Sequence, residues 1–171
     1  SYIVVSDRVP QRLLCTCPWA KLVLLLRNPI DRAYSQYNMI RHSKDRLRLQ
    51  YIPSTFDQWV EQDYQVLTRL GVLPKDADEP SSGGGYTGTP EEKLGWKAYT
   101  RLGIAGPVGP IGRGLYSIQI AQWMEAYRQQ GLDLLGHSSK ASNHEGDNAL
   151  LVMSSEYTKA YPQEALGRTC D

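Results

Sequence analysis

An arginine and a serine eight residues apart are the side chains of this sequence best suited to hold an anion. Arg27 directly follows the run from Lys21 to Leu26, which is five leucine or valine residues after a lysine. Ser35 lies seven residues after Asn28, two turns of a helix, so both share one helix face. A guanidinium grips two phosphate oxygens at once, and a hydroxyl can donate a further hydrogen bond. Arg27 and Ser35 can therefore hold one phosphate group between them.

The elements that must position this pair are a strand, a very short turn and a helix over residues 21 to 42. A continuous apolar run is typical of a strand covered on both faces, as in a parallel α/β sheet. Asn28 followed by Pro29 is a helix start signal, and the helix is expected to reach about His42. Arg27 would then lie at the carboxyl end of a strand, where open α/β sheets bind ligands, beside the positive end of a helix dipole.

The same residues also have a simpler explanation, in which Arg27 is a surface charge and Ser35 a solvated helical serine. Spacing alone leaves both explanations open. The charge distribution favours a local anion pocket, because residues 8 to 50 hold nine Lys or Arg against two Asp. Residues 51 to 100 reverse this balance, with eight Asp or Glu against four Lys or Arg. A basic surface along the whole chain, as a nucleic-acid partner requires, is not expected.

The remaining elements are predicted from apolar spacing and turn residues. These are strands over Tyr2 to Val5 and Leu150 to Met153, and helices over Pro10 to Cys15, Thr55 to Leu70, Leu115 to Gln130 and Glu156 to Leu166. Two polar stretches, 72 to 110 and 136 to 148, are predicted loop insertions, the first with a short ordered piece near Leu94 to Tyr99. The pattern predicts a single α/β domain over residues 1 to 171, with a parallel sheet flanked by helices.

Cysteine and histidine content argues against a metal or redox site. Cys15, Cys17 and Cys170 have neither the spacing of a zinc site nor the density of a disulfide framework, so free or buried thiols are expected. The histidines of the 136 to 148 stretch have no ligand neighbours. No apolar run approaches the ~20 residues that a membrane span needs. We therefore expect neither a metal ion nor a membrane span within this chain.

The string Arg-Asn-Pro-x-Asp-Arg-Ala-Tyr-Ser-x-Tyr, which begins at Arg27, resembles a motif of a known family. It resembles the 3′-phosphate-binding motif of sulfotransferases that use 3′-phosphoadenosine-5′-phosphosulfate (PAPS), especially the carbohydrate and heparan-sulfate-type branch. In that family the arginine that ends the strand and the serine in the helix bind the 3′-phosphate of the cofactor. The resemblance gives these two roles to Arg27 and Ser35.

Two later stretches resemble the same family. Gly-Arg-Gly-Leu-Tyr begins at Gly112 and opens a helix with a tryptophan further along, and the strand before Glu156 is similar to a late strand that ends in an acidic residue. The resemblance implies that Arg113 and Tyr116 lie at the cleft, near the acceptor substrate or the cofactor. The alternative is that Tyr116 belongs to the core and Arg113 is a loop cation.

The resemblance covers roughly residues 1 to 50 and 110 to 171, and it implies a three-layer architecture like that of P-loop NTPases, incomplete at the N-terminus. The family's 5′-phosphosulfate loop, a Lys-x-Gly-Thr-Thr-like turn, has no counterpart, since the Gly-rich stretch 83 to 89 lacks the lysine and a preceding strand. The general base would lie upstream of Ser1, and a late basic loop beyond Asp171. A partial domain is expected, and no catalytic residue is assigned.

The implied activity is transfer of a sulfuryl group from PAPS to a hydroxyl or amine acceptor, expected to be a carbohydrate, with this chain supplying the 3′-phosphate-binding half. Whether the chain alone is active stays open. One alternative is a non-catalytic fragment that binds a nucleotide or an anionic glycan. Another is a relative of P-loop nucleotide kinases, although their Gly-x-x-x-x-Gly-Lys-Ser/Thr loop is absent. The resemblance also implies a membrane-anchored protein of the Golgi lumen, with a cytoplasmic location as the alternative.

Overall fold

The computed structural model describes residues 9–17, 19–43, 52–74, 88–102, 109–132 and 150–170. They form a mixed α/β structure, with a two-stranded parallel sheet and helices around it. The strands are β1 (Leu22–Leu26) and β2 (Leu150–Ser154). The helices are α1 (Val9–Thr16), α2 (Pro29–Arg41), α3 (Phe56–Arg69), α4 (Pro90–Arg101), α5 (Tyr116–Arg128), α6 (Ser155–Ala160) and α7 (Pro162–Cys170), with a 3₁₀ turn at Gly112–Gly114.

Two compact units make up the described residues. The first contains those from Pro29 to Ala121, and the second those up to Asn28 and from Gln122 onward. The boundary therefore falls between Asn28 and Pro29, two residues after the end of β1, and again within α5. Each unit has a hydrophobic core of its own.

The sheet of the second unit confirms the predicted strands and their parallel direction. Leu22 lies opposite Leu150, and Leu26 lies opposite Ser154. Parallel strands end at the same edge of a sheet, so the residues that follow β1 and β2 continue side by side. This register decides which residues surround Arg27.

One face of this sheet is covered and the other is not, within the part of the chain that the structure describes. Leu22 packs with Leu14 of α1 and with Tyr127 of α5. Val23 and Leu25, on the opposite face, are 53% and 54% exposed. The expectation of a strand buried on both faces is therefore wrong for these residues, because only one layer of described helices packs on the sheet.

Helix α2 confirms the predicted strand, turn and helix. It begins at Pro29, one residue after Asn28, because proline fits the first turn of a helix, where an N–H has no partner. Its buried residues, Ala33, Tyr37 and Ile40, recur at helical spacing. Tyr37 and Ile40 pack with other apolar residues of the first unit, and this contact fixes the inner face of α2.

The core of the first unit is formed by α3, α4 and α5. The predicted α3 is confirmed, since the Thr55 side chain accepts a hydrogen bond from the Gln58 N–H and Gly71, at φ 72°, follows its end. The predicted α5 is confirmed as well, and Gly131, at φ 73°, follows it. Leu67 of α3 packs with buried residues of the other two helices.

Helix α4 corrects the expectation of a loop across residues 72 to 110. Thr89 caps this 12-residue helix, and Pro90 occupies its first turn. Trp96 and Tyr99 are only 1% exposed, so α4 belongs to the core and is not a surface segment. The start signals were present in the sequence, but the neighbouring Gly- and Ser-rich run masked them.

The closing helix predicted over Glu156 to Leu166 is two helices, α6 and α7. The break falls at Tyr161, directly before Pro162. Proline has no N–H and disfavours helical geometry in the residue before it, so a continuous helix cannot pass this point without a kink. The strand predicted over Tyr2 to Val5 and the loop predicted over 136 to 148 lie outside the described residues.

Candidate anion-binding site

The carboxyl edge of the sheet brings together residues from the ends of both strands. Because Leu26 pairs with Ser154, Arg27 and Asn28 continue beside the start of α6. The Asn28 N–H donates a hydrogen bond to Glu156 Oε1 at 3.2 Å. Arg27 is half-buried and Glu156 is exposed. We call Arg27, Asn28 and Glu156 the sheet edge.

Glu156 is held in its charged form at this edge. Hydrogen bonds from its own backbone N–H and from the Asn28 N–H lower its pKa, and the nearby Arg27 guanidinium adds a smaller effect in the same direction. The cation predicted at the end of β1 therefore interacts weakly with the charge of this carboxylate. Sequence reasoning matched Glu156 to a family pattern but gave it no role, because its contact with Asn28 depends on the strand register.

Ser35 lies in the second turn of α2, as predicted. Its side chain is exposed, as is Asp31 four residues earlier, so both lie on the outer side of the helix. Arg27 belongs to the second unit and Ser35 to the first. The Ser35 hydroxyl is accessible to a ligand.

Arg113 and Tyr116 lie close to the first turn of α2, within the first unit. A Cβ atom at Gly114 would come 2.9 Å from the Pro29 Cβ, so this glycine lets the two backbones approach. Burial lowers the pKa of Arg32 in this turn, while a hydrogen bond and charge interaction with Tyr116 oppose that effect. Arg113 and Tyr116 are both half-buried. Tyr116 thus interacts with Arg32, whereas Arg113 belongs to the 3₁₀ turn that lies against α2.

Arg32 ties α2 to the residues before the 3₁₀ turn. One terminal nitrogen of its guanidinium donates to Gln36 Oε1 at 2.9 Å, and the other donates to the Pro110 carbonyl oxygen. Two elements distant in sequence are therefore linked by one planar cation. Sequence reasoning included Arg32 only as part of a motif, without a role of its own.

Asp63 of α3 fixes residues 109 to 115, which we call the Gly112 turn. Its carboxylate is 7% exposed, and Oδ1 accepts from the Tyr99 hydroxyl at 2.7 Å. Oδ2 accepts from the backbone N–H groups of Ile111 and Gly112 at 2.8 and 3.1 Å. Burial raises the pKa of Asp63, and the three hydrogen bonds offset part of this rise. This one carboxylate holds the turn that presents Arg113.

Sequence reasoning missed Asp63, Tyr99 and Gln119. Gln119 is fully buried, and its Nε2 donates to the Gly112 carbonyl oxygen at 2.9 Å. A signal for Asp63 was available, since it lies four residues after Trp59 and four before Leu67, on the apolar stripe of α3. A charged residue on such a stripe indicates a buried hydrogen-bonded carboxylate.

Substitution of Gly112 by alanine is expected to lower the free energy of unfolding by about 1 to 2 kcal/mol. A Cβ at this position would overlap the Tyr99 ring, which is stacked on Trp96 with ring centroids 5.5 Å apart and cannot withdraw. Urea unfolding measures the loss. The control is Gly167→Ala on α7, where no atom lies within 4 Å of the added methyl group. Equal stabilities of the two variants would show that the Gly112 turn does not pack on Tyr99.

Neither a metal centre nor a membrane-spanning segment is evident in the described ranges. No three His, Cys, Asp or Glu side chains among those residues are grouped so that they could hold a metal ion. The helices described are all too short or too polar to cross a membrane.

No protein-family model matches the chain, and comparisons with curated proteins and with solved structures give no significant match. The function must then be inferred from the sheet edge and the Gly112 turn themselves.

Proposed function

We propose that this protein is a PAPS-dependent sulfotransferase domain in which Arg27 and Ser35 bind the 3′-phosphate of the cofactor. The observation that carries the proposal is the position of Arg27, at the carboxyl end of a parallel strand with α2 beginning two residues later. Such junctions place a guanidinium beside the positive end of a helix dipole. A phosphate monoester, which carries nearly two negative charges, is the ligand that these groups suit.

The proposed reaction transfers a sulfuryl group to an acceptor hydroxyl or amine. The acceptor oxygen or nitrogen forms a bond to sulfur and releases its proton to solvent, while the bond from sulfur to the 5′-phosphate oxygen breaks and adenosine 3′,5′-bisphosphate leaves. In transfers of this kind, positioning and neutralisation of charge supply most of the acceleration. Arg27 and Ser35 contribute by holding the nucleotide end of the donor. Arg113 and Tyr116 are proposed to contact the acceptor or the cofactor, and no general base is assigned.

The proposal includes a three-layer architecture like that of P-loop NTPases, with a carbohydrate as the acceptor and the Golgi lumen as the compartment. The two parallel strands, with α1 and α5 packed on one face, support only the α/β part of this proposal. The three finer points rest on the motif that begins at Arg27 and on the family resemblance it carries.

Calorimetric titration with adenosine 3′,5′-bisphosphate and with ATP separates this proposal from a nucleotide kinase relative. A site that binds the 3′-phosphate is expected to bind the bisphosphate at least about tenfold more tightly than ATP. This difference is the effect of one charge-assisted hydrogen bond. Tighter binding of ATP would contradict the proposal and favour the kinase relative.

A transfer assay separates a sulfotransferase from a protein that only binds. PAPS labelled in its sulfate group is incubated with the protein and with glycan acceptors, and labelled glycan is expected to form. Binding of adenosine 3′,5′-bisphosphate without any labelled product would favour the non-catalytic alternative for this chain.

A further inference from the structure

The sheet edge already contains an anion that belongs to the protein. Glu156 Oε1 accepts from the Asn28 N–H, and the same carboxylate lies near enough to Arg27 to interact with its charge. The Asn28 N–H and the Arg27 guanidinium are also the donors that an external anion at this edge would use. Ligand and protein carboxylate therefore compete for the same groups.

We propose that Glu156 is a gate for the anion site: its carboxylate accepts from the Asn28 N–H when no ligand is bound, and it withdraws when a phosphate group binds. The identity of the ligand as a 3′-phosphorylated nucleotide rests on the proposed function. The competition itself does not, because any anion that approaches these donors meets the same carboxylate.

The backbone of Glu156 is fixed, whereas its side chain is able to move. The Ser154 side chain accepts from the Tyr157 N–H at 3.0 Å, which caps α6 and holds the backbone of Glu156 between them. The Glu156 side chain is exposed, and its hydrogen bond to Asn28, at 3.2 Å, is at the long end of the usual range. A rotation about side-chain bonds is enough to release the N–H without unfolding of either strand.

The gate also lowers the affinity of the sheet edge for anions. A carboxylate beside Arg27 repels every anion that approaches. An anion with two charges and several acceptor oxygens regains more from the guanidinium and the N–H groups than an anion with one charge. Glu156 is thus expected to reduce the affinity of the sheet edge for every anion.

Two variants test the gate. Glu156→Gln keeps an oxygen that can accept from the Asn28 N–H but removes the charge, and Glu156→Ala removes both. Affinities for adenosine 3′,5′-bisphosphate and for inorganic phosphate are measured by calorimetry. Both affinities are expected to rise about three- to tenfold in Glu156→Gln, the effect of removing one like charge near an exposed site, and at least as much in Glu156→Ala. Both variants change an exposed side chain, so the fold is retained.

The matched control is Glu125→Gln. This half-exposed carboxylate belongs to α5 and pairs with Arg128 at 2.7 Å, so its removal changes the net charge equally without touching the sheet edge. Its affinities for both anions are expected to stay within about twofold of wild type. A similar rise in the control and in Glu156→Gln would show a net-charge effect and overturn the gate.

Other outcomes separate the gate from the proposed function. Weaker or unchanged binding in both Glu156 variants would mean that this carboxylate orients Arg27 or has no effect on binding. That result would contradict the gate and leave the proposed function unaffected. If no variant bound the bisphosphate but the two Glu156 variants bound inorganic phosphate more tightly than wild type, the result would contradict the proposed function and support the gate. Absence of binding by either anion in every variant would overturn both.

Discussion

Replacement of Asp63 by alanine is expected to lower the free energy of unfolding by about 3 kcal/mol, because three donors, two of them buried, lose their acceptor. These are the Tyr99 hydroxyl and the N–H groups of Ile111 and Gly112. A buried donor left without a partner costs about 1 to 3 kcal/mol, and relaxation of the turn or entry of water recovers part of the sum. Urea unfolding measures the loss.

Two further variants make this prediction specific. Asp63→Asn keeps one acceptor oxygen and about the same volume, so it is expected to lose less stability than Asp63→Ala. Glu61→Ala removes an exposed carboxylate from the same helix, one that accepts from the exposed Gln65, and is expected to change the stability by about 0.5 kcal/mol or less. Equal losses for the variants at Asp63 and Glu61 would contradict the role given to the buried carboxylate.

The pH dependence of stability tests the same contact. Burial raises the pKa of Asp63, so the folded protein binds this proton more tightly than the unfolded chain does. This tighter proton binding stabilises the folded protein fully below the pKa of Asp63 in the unfolded chain, about 4. The stabilisation is lost as pH rises through the higher pKa of Asp63 in the folded protein. The stability of wild type relative to Asp63→Asn is therefore expected to fall as pH rises from about 4. A relative stability that rises over this range would contradict the raised pKa.

The affinity for adenosine 3′,5′-bisphosphate is expected to fall about 10- to 100-fold in Arg27→Ala. A hydrogen bond between charged groups contributes about 1.5 to 3 kcal/mol, and the guanidinium is proposed to grip the 3′-phosphate directly. Calorimetry gives the two dissociation constants. The control is Arg41→Ala, which removes the same charge from the exposed last residue of α2 and is expected to change the affinity by less than about threefold. Equal weakening in both variants would mean that Arg27 acts only through net charge.

The fold around β1 and α2 could be predicted from sequence because its signals are local. A continuous apolar run, followed directly by Asn28 and Pro29, indicates a strand end and a helix start without any knowledge of distant residues. Helix α4 carried equally local signals in Thr89 and Pro90, but they stood after a glycine-rich run that dominated the composition of the window. The break between α6 and α7 could also be predicted from Pro162, because proline interrupts a helix when it lies inside one.

The candidate site could be predicted only in part, because its key contacts join residues far apart in sequence. Arg27 was found from its position after a strand. The hydrogen bond between Asn28 and Glu156 spans 128 residues and depends on the register of β1 with β2, which the sequence does not specify by itself. Asp63 and the N–H group of Gly112 are 49 residues apart, and they meet only because α3 and the turn pack together.

The most direct test of the central claim is the contribution of the 3′-phosphate to binding. Wild-type protein is titrated by calorimetry with adenosine 3′,5′-bisphosphate and with AMP, which differ only in that group. The bisphosphate is expected to bind at least about tenfold more tightly, and this advantage is expected to shrink to about twofold or less in Arg27→Ala. Equal affinity of the wild-type protein for the two nucleotides would contradict the claim that this protein recognises a 3′-phosphate.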